Sequence, residues 1–145
     1  MKYPKLNEPG FFYILNINGF TKFGITQNFK NRMKSYALEY EKSQRPFNAA
    51  IHYVEEYEKF WQLEFVETML RRKLNPWVSS GYETIRHDIP TQKVIDCYKR
   101  LKSFLVEYNS FEHIKEYYPI GRLRFKLYKL YFIEIQKKLD AIEFI

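Results

Sequence analysis

The stretch FFYILNINGFTKFGIT, residues 11–26, holds two apolar, β-rich runs around the pair Asn18-Gly19. Asn-Gly between such runs is the strongest short-range signal for a two-residue type I′ hairpin, because both central residues of that turn need positive φ. A turn of this length sets Leu15 opposite Lys22 and Tyr13 opposite Gly24. Alternation along the strands then puts Tyr13, Leu15, Lys22 and Gly24 on one face, and Phe12, Ile14, Phe23 and Ile25 on the other. The second set reads as the core face and the first as the face that holds the polar groups.

Beyond the hairpin, Thr26 or Asn28 can cap a helix running to about Lys42, with Phe29, Met33, Tyr36 and Tyr40 at helical spacing and Arg32 in its early turns. Residues 47–58 read as a third strand, and residues 58–74 as a second helix that stops before Asn75-Pro76. Residues 77–90 read as a loop or short strand. Thr91 is expected to cap a third helix that carries Val94, Ile95, Tyr98, Leu101, Phe104 and Leu105 on one stripe.

After Asn109-Ser110 a short helical piece leads to a break at Pro119-Ile-Gly121. From Arg122 onward Leu123, Leu127, Leu130, Tyr131, Ile135, Leu139 and Ile142 recur at helical spacing, although the alternating start of this segment also fits a strand. The expected architecture is α/β, in the α+β sense. A small, mainly antiparallel three-stranded sheet flanked by helices occupies residues 1–108, and a helical C-terminal extension occupies residues 109–145.

The chain has 145 residues, 46% of them apolar and 19% aromatic, which fits one folded domain with an appendage. Its formal net charge of +7 and pI near 9.3 favour a polyanionic partner, since cations that neutralise phosphates gain affinity from released counterions. Cys97 is the single cysteine, so an internal disulfide and an all-cysteine zinc site are both excluded. His52, His87 and His113 lack zinc-like spacing. The N-terminal residues lack the apolar run of a signal peptide, and no stretch of about 18 apolar residues could span a bilayer. A cytoplasmic protein without a membrane partner is expected.

GFFYIL followed by KFGIT, Arg32 eight residues after Gly24, and a later helix bearing VETMLRRKLNPW resemble the GIY-YIG nuclease superfamily over roughly residues 10–106. The likeness is to the branch whose second motif reads Lys-Ile-Gly-Ile-Thr, matched here by Lys22-Phe23-Gly24-Ile25-Thr26. Counting from Gly10 puts Phe12 at the tyrosine of the first motif, but the hairpin places Tyr13, not Phe12, on the face of Lys22. Tyr13 is therefore the choice. GYETIR, residues 81–86, resembles the Glu-Trp-Phe segment that follows the glutamate helix in that branch, whereas Ser79 stands where many relatives carry asparagine.

This resemblance implies divalent-metal-dependent hydrolysis of DNA phosphodiester bonds, of the kind found in small phage and mobile-element nucleases. Such chemistry needs a base for water, positive charge on the forming phosphorane and a group at the leaving oxygen. By resemblance Tyr13 handles the water, Lys22 and Arg32 stabilise the phosphorane, and Glu67 holds the metal. Glu64 competes for that last role, but Glu67 has the spacing to Leu70 and Pro76. A lone carboxylate with water and phosphate oxygens suits Mg²⁺ or Mn²⁺.

Lys30, Lys34, Tyr36, Arg71 and Arg72 are the candidate nucleic-acid contacts. Tyr36 lies one turn beyond Arg32, where relatives carry a histidine or another polar ring. The basic and apolar extension fits packing on the domain or on a second copy, giving a homodimer; alternatively, it is a nucleic-acid arm. The rival to the nuclease is a GIY-YIG-derived module that binds nucleic acid or protein without cutting.

Overall fold

The computed structural model of the chain describes residues 5–81, 83–114 and 125–144, and for residues 125–132 the backbone alone. The hairpin forms as the Asn-Gly pair requires. β1 (Gly10–Ile17) and β2 (Phe20–Thr26) pair antiparallel with Leu15 opposite Lys22 and Tyr13 opposite Gly24. Asn18 and Gly19 turn the chain at φ 54° and 90°, in the region a type I′ turn uses.

α1 (Phe29–Lys42) begins at Asn28, whose side chain accepts the Asn31 N–H, so Asn28 rather than Thr26 is the cap. β3 (Ala49–Tyr57) then pairs antiparallel with β1, and α2 (Phe60–Leu74) runs into a 3₁₀ turn at Asn75–Trp77. The segment left open between loop and short strand supplies both β4 (Val78–Ser80) and β5 (Thr84–Ile85). β5 pairs with β2 and β4 with β5. The sheet therefore has five strands in the order β3-β1-β2-β5-β4, not the expected three. The miss has a simple cause. Strands of three and two residues carry too little alternation to be read from sequence, and they exist here because the free edge of β2 offers them a ladder.

α3 (Thr91–Glu107) follows with Pro90, not Thr91, at its cap position. The Thr91 hydroxyl is instead turned to the sheet, 2.7 Å from the Thr21 hydroxyl and accepting from Asn16 Nδ2. α4 (Ser110–Ile114) and α5 (Phe125–Asp140) complete the described elements. The expected break at 119–121, the strand alternative at the start of the extension and Leu123 all lie outside the described residues. Among those described, Ile135 and Leu139 of α5 are buried in the same apolar cluster as α2 and α3. Lys73 of α2 donates to the carbonyls of Leu139 and Ile142, tying the end of the extension to the domain. No helix among the described residues is long and apolar enough to cross a membrane.

The first strand of the hairpin is covered on both faces. Phe12, Ile14 and Phe23 pack with α2 and α3 in the main core. The opposite face is not the polar face that the alternation suggests. Tyr13, Leu15, Ile17 and Tyr36 form a second buried cluster there, closed by Phe29, Met33, Tyr40 and Phe47. The stripe of α1 lies on it. Gly24 makes this packing feasible, because the Tyr13 ring lies over it: a Cβ there would sit 2.7 Å from the Tyr13 Cζ.

Gly24→Ala is accordingly expected to lower stability by about 1–3 kcal/mol, as overpacking of a filled core does. A urea melt of the variant against the parent measures it. An unchanged midpoint would show that the Tyr13 ring moves aside freely.

Candidate functional site

Tyr13 and Tyr36 reach each other from opposite sides of the small cluster, one on β1 and one on α1. Their phenol oxygens are 2.6 Å apart. Both are buried, Tyr13 at 1% exposure and Tyr36 at 6%. The Lys22 ammonium lies over the Tyr36 ring, 5.0 Å from its centroid, in a cation–π contact. Arg32 precedes Tyr36 by one helical turn and so shares its side of α1. Its charge favours the ionised form of both phenols and of Glu67.

Burial raises the pKa of both phenols, but the two are not equivalent. For Tyr13 the neighbouring Tyr36 and the shared hydrogen bond raise it further. For Tyr36 that same bond acts in the opposite sense and favours a charge on the Tyr36 oxygen, although either hydroxyl can donate it. Tyr36 is thus the better placed of the pair to give up its proton, with Arg32 and Lys22 at hand.

Glu67 sits in the middle of α2 and is 7% exposed. Desolvation pushes its carboxyl up to about 7, against the pull of Arg71. Arg71, one turn on, bonds it at 2.9 Å, and the same guanidinium nitrogen lies 2.6 Å from Glu83. Glu83 arrives by way of the short strands, since its carbonyl accepts the Phe23 N–H as β5 joins β2. Two carboxylates therefore meet on one cation. Glu83 was not among the residues singled out by sequence, although it lies in the GYETIR segment that carried part of the resemblance.

The described residues bring Tyr13, Tyr36, Lys22 and Arg32 into one neighbourhood, with Glu67 within electrostatic reach of Arg32. Glu83 acts on Tyr13, Tyr36 and Glu67 alike. Lys30 and Lys34 do not join them. They are four residues apart on α1, both exposed, and Lys34 is about 200° around the helix from Tyr36, so they face away from the phenols. Arg71 is engaged with the two carboxylates, whereas Arg72 is exposed. Glu64, partly buried, adds negative charge near Glu67, and its own carboxyl is raised by burial.

Oxygen donors from Glu67 and Glu83 match the hard-ligand preference of Mg²⁺ or Mn²⁺. Among the described residues there is no cluster of three or more His, Cys, Asp or Glu that could enclose a metal. A carboxylate pair is nonetheless sufficient for Mg²⁺, which keeps several of its waters.

Glu67 also makes stability depend on pH. Its folded value of about 7 lies above the ordinary 4.5, so the native state holds the proton more tightly. The resulting stability is present in acid and is lost as pH rises through about 7, with an upper limit of about 3 kcal/mol. Glu67→Gln should flatten that dependence and be the more stable protein at alkaline pH. Thermal melts of both proteins across the neutral range check this, and parallel curves would contradict the burial of the charge.

Comparison with protein-family models, with curated proteins and with solved structures returns no match, so the function rests on the geometry of these residues and on the motif resemblance.

Proposed function

We propose that the chain is a divalent-metal-dependent endonuclease that hydrolyses DNA phosphodiester bonds. The observation that carries this is the meeting of the two phenols, 2.6 Å apart, with the Lys22 ammonium over one of them and Arg32 acting on both. Phosphodiester hydrolysis needs a proton acceptor beside fixed positive charge, and a hairpin with one helix provides both. The net charge of +7 gives the electrostatic bias toward such a substrate.

In this proposal Tyr36 first loses its phenol proton to solvent, favoured by the charge of Arg32, and the phenolate then takes the proton of the attacking water. Tyr13, too buried to meet water, is a positioning residue that donates to the Tyr36 oxygen and holds it in place. Lys22 and Arg32 offset the charge that grows on the phosphoryl oxygens. Glu67, with Glu83, would hold Mg²⁺ or Mn²⁺, which polarises the phosphate and stabilises the departing oxygen when bound. Arg71 keeps the carboxylates together in the protein alone.

Plasmid nicking in Mg²⁺ tests this. Arg32→Ala and Glu67→Ala should each cut at least about 100-fold more slowly than the parent, the usual loss when one transition-state contact is removed. Tyr36→Phe should lose more activity than Tyr13→Phe. Equal cutting by the parent and all four variants would overturn the assignment.

A second reading is favoured by one observation. Arg71 already satisfies Glu67 and Glu83 through a single nitrogen, as an ion-pair network retained only for structure would. On that reading the chain binds nucleic acid without cutting. Metal-independent binding by the parent and by Glu67→Ala, with no nicking by either, would establish it.

A further inference from the structure

Beside Lys22 a cleft of about 380 Å³ opens between the hairpin tip, the end of α1 and strands β4 and β5. That is within the range of about 300–1,000 Å³ typical of sites for small organic molecules. Its lining mixes cationic, aromatic and hydroxyl side chains. Lys22 stands at the end that adjoins the phenol pair. Two aromatic side chains, Phe20 and Tyr40, also line it. Arg45 stacks on the Tyr40 ring at 4.1 Å from its centroid, and Ser80 adds a hydroxyl.

The walls are held in place. Asn18 at the hairpin tip donates to the Pro46 carbonyl and exchanges two further hydrogen bonds with Asn48, so the tip is fastened to the segment that follows Arg45. Phe20 is nevertheless 37% exposed, and its ring meets the His87 ring in a T-shaped contact. A partly exposed aromatic ring on a fixed frame can serve as a stacking platform, and a guanidinium over a neighbouring ring extends it.

We propose that this cleft holds one unpaired nucleotide next to the scissile phosphate, with its phosphate at Lys22 and its base between Phe20 and the Tyr40–Arg45 stack. The position of the phosphate rests on the nuclease reading above; the stacking site rests on the cleft alone. The direction follows from charge. Glu39 lines the cleft beside the Tyr40–Arg45 stack, where Arg45 approaches it at 4.0 Å, and a carboxylate suits a neutral base better than a phosphate. A duplex keeps its bases stacked on one another and cannot present one here. The substrate class is therefore single-stranded or flapped DNA, or a base turned out of the duplex.

Fluorescence anisotropy in EDTA, which prevents cutting, tests this with a labelled single strand and a blunt duplex of the same length and sequence. The parent should bind the single strand about tenfold more tightly. Phe20→Ala and Arg45→Ala should each weaken single-strand binding about tenfold, as loss of one stacking contact does, and leave duplex binding unchanged. Both side chains are exposed, so the fold should tolerate their removal. Equal affinity of the parent for the two probes, or variants that bind the single strand as the parent does, would overturn the proposal. Nicking assays on the same proteins separate the two conclusions. Selective single-strand binding without cutting keeps the subsite and rejects the nuclease. Cutting that neither substitution affects, with no strand preference, keeps the nuclease and rejects the subsite.

Discussion

A hydrogen bond between two buried phenols, Tyr13 of β1 and Tyr36 of α1, sits at the point where the first helix meets the sheet. It joins two hydroxyls across an otherwise apolar cluster, and neither oxygen could be left without a partner at low cost. Much of the surrounding architecture follows from satisfying it. The Tyr13 ring needs room, which Gly24 provides on the paired strand. Tyr36 must reach inward, so α1 lies with its aromatic stripe on the hairpin, and Arg32 comes to the same side one turn earlier. Lys22, two residues before Gly24 on β2, then stands over the Tyr36 ring.

The second feature of the site is a balance of charge under partial burial. Glu67 is carried into the interior by a helix that is buried along most of its length, and desolvation opposes its ionisation. Arg71 and Glu83 form the compensating network, one cation to two anions. A divalent cation would meet the same carboxylates with greater charge. The site therefore combines an acidic end on α2 and β5 with a basic and phenolic end on the hairpin and α1.

Several sequence-level expectations failed for reasons that lie in three dimensions. Alternation along β1 correctly separates Phe12 from Tyr13, but it cannot say whether one or both faces of the sheet are covered. Leu15 and Ile17, on the Tyr13 face, were the signal that α1 would close it. Thr91 has the residue type of a cap, yet its hydroxyl found Thr21 across the fold. Glu83 passed unnoticed because its role depends on β5 adding to β2, and a two-residue strand has no periodicity of its own.

The local elements were legible in the chain by itself. The Asn18-Gly19 turn, the register of Tyr13 and Lys22, the helix after Thr26 and Asn28, and the helices around Glu67 and after Pro90 all follow from dihedral preference and apolar spacing, which act over a few residues. Tertiary structure decided what those elements bring together. The approach of Tyr36 to Tyr13, the delivery of Glu83 to Arg71, and the cleft from Lys22 to Arg45 join residues 12 to 23 positions apart. Contacts at that separation are set by how filled faces pack and by which buried polar groups must find partners, and no local preference encodes either.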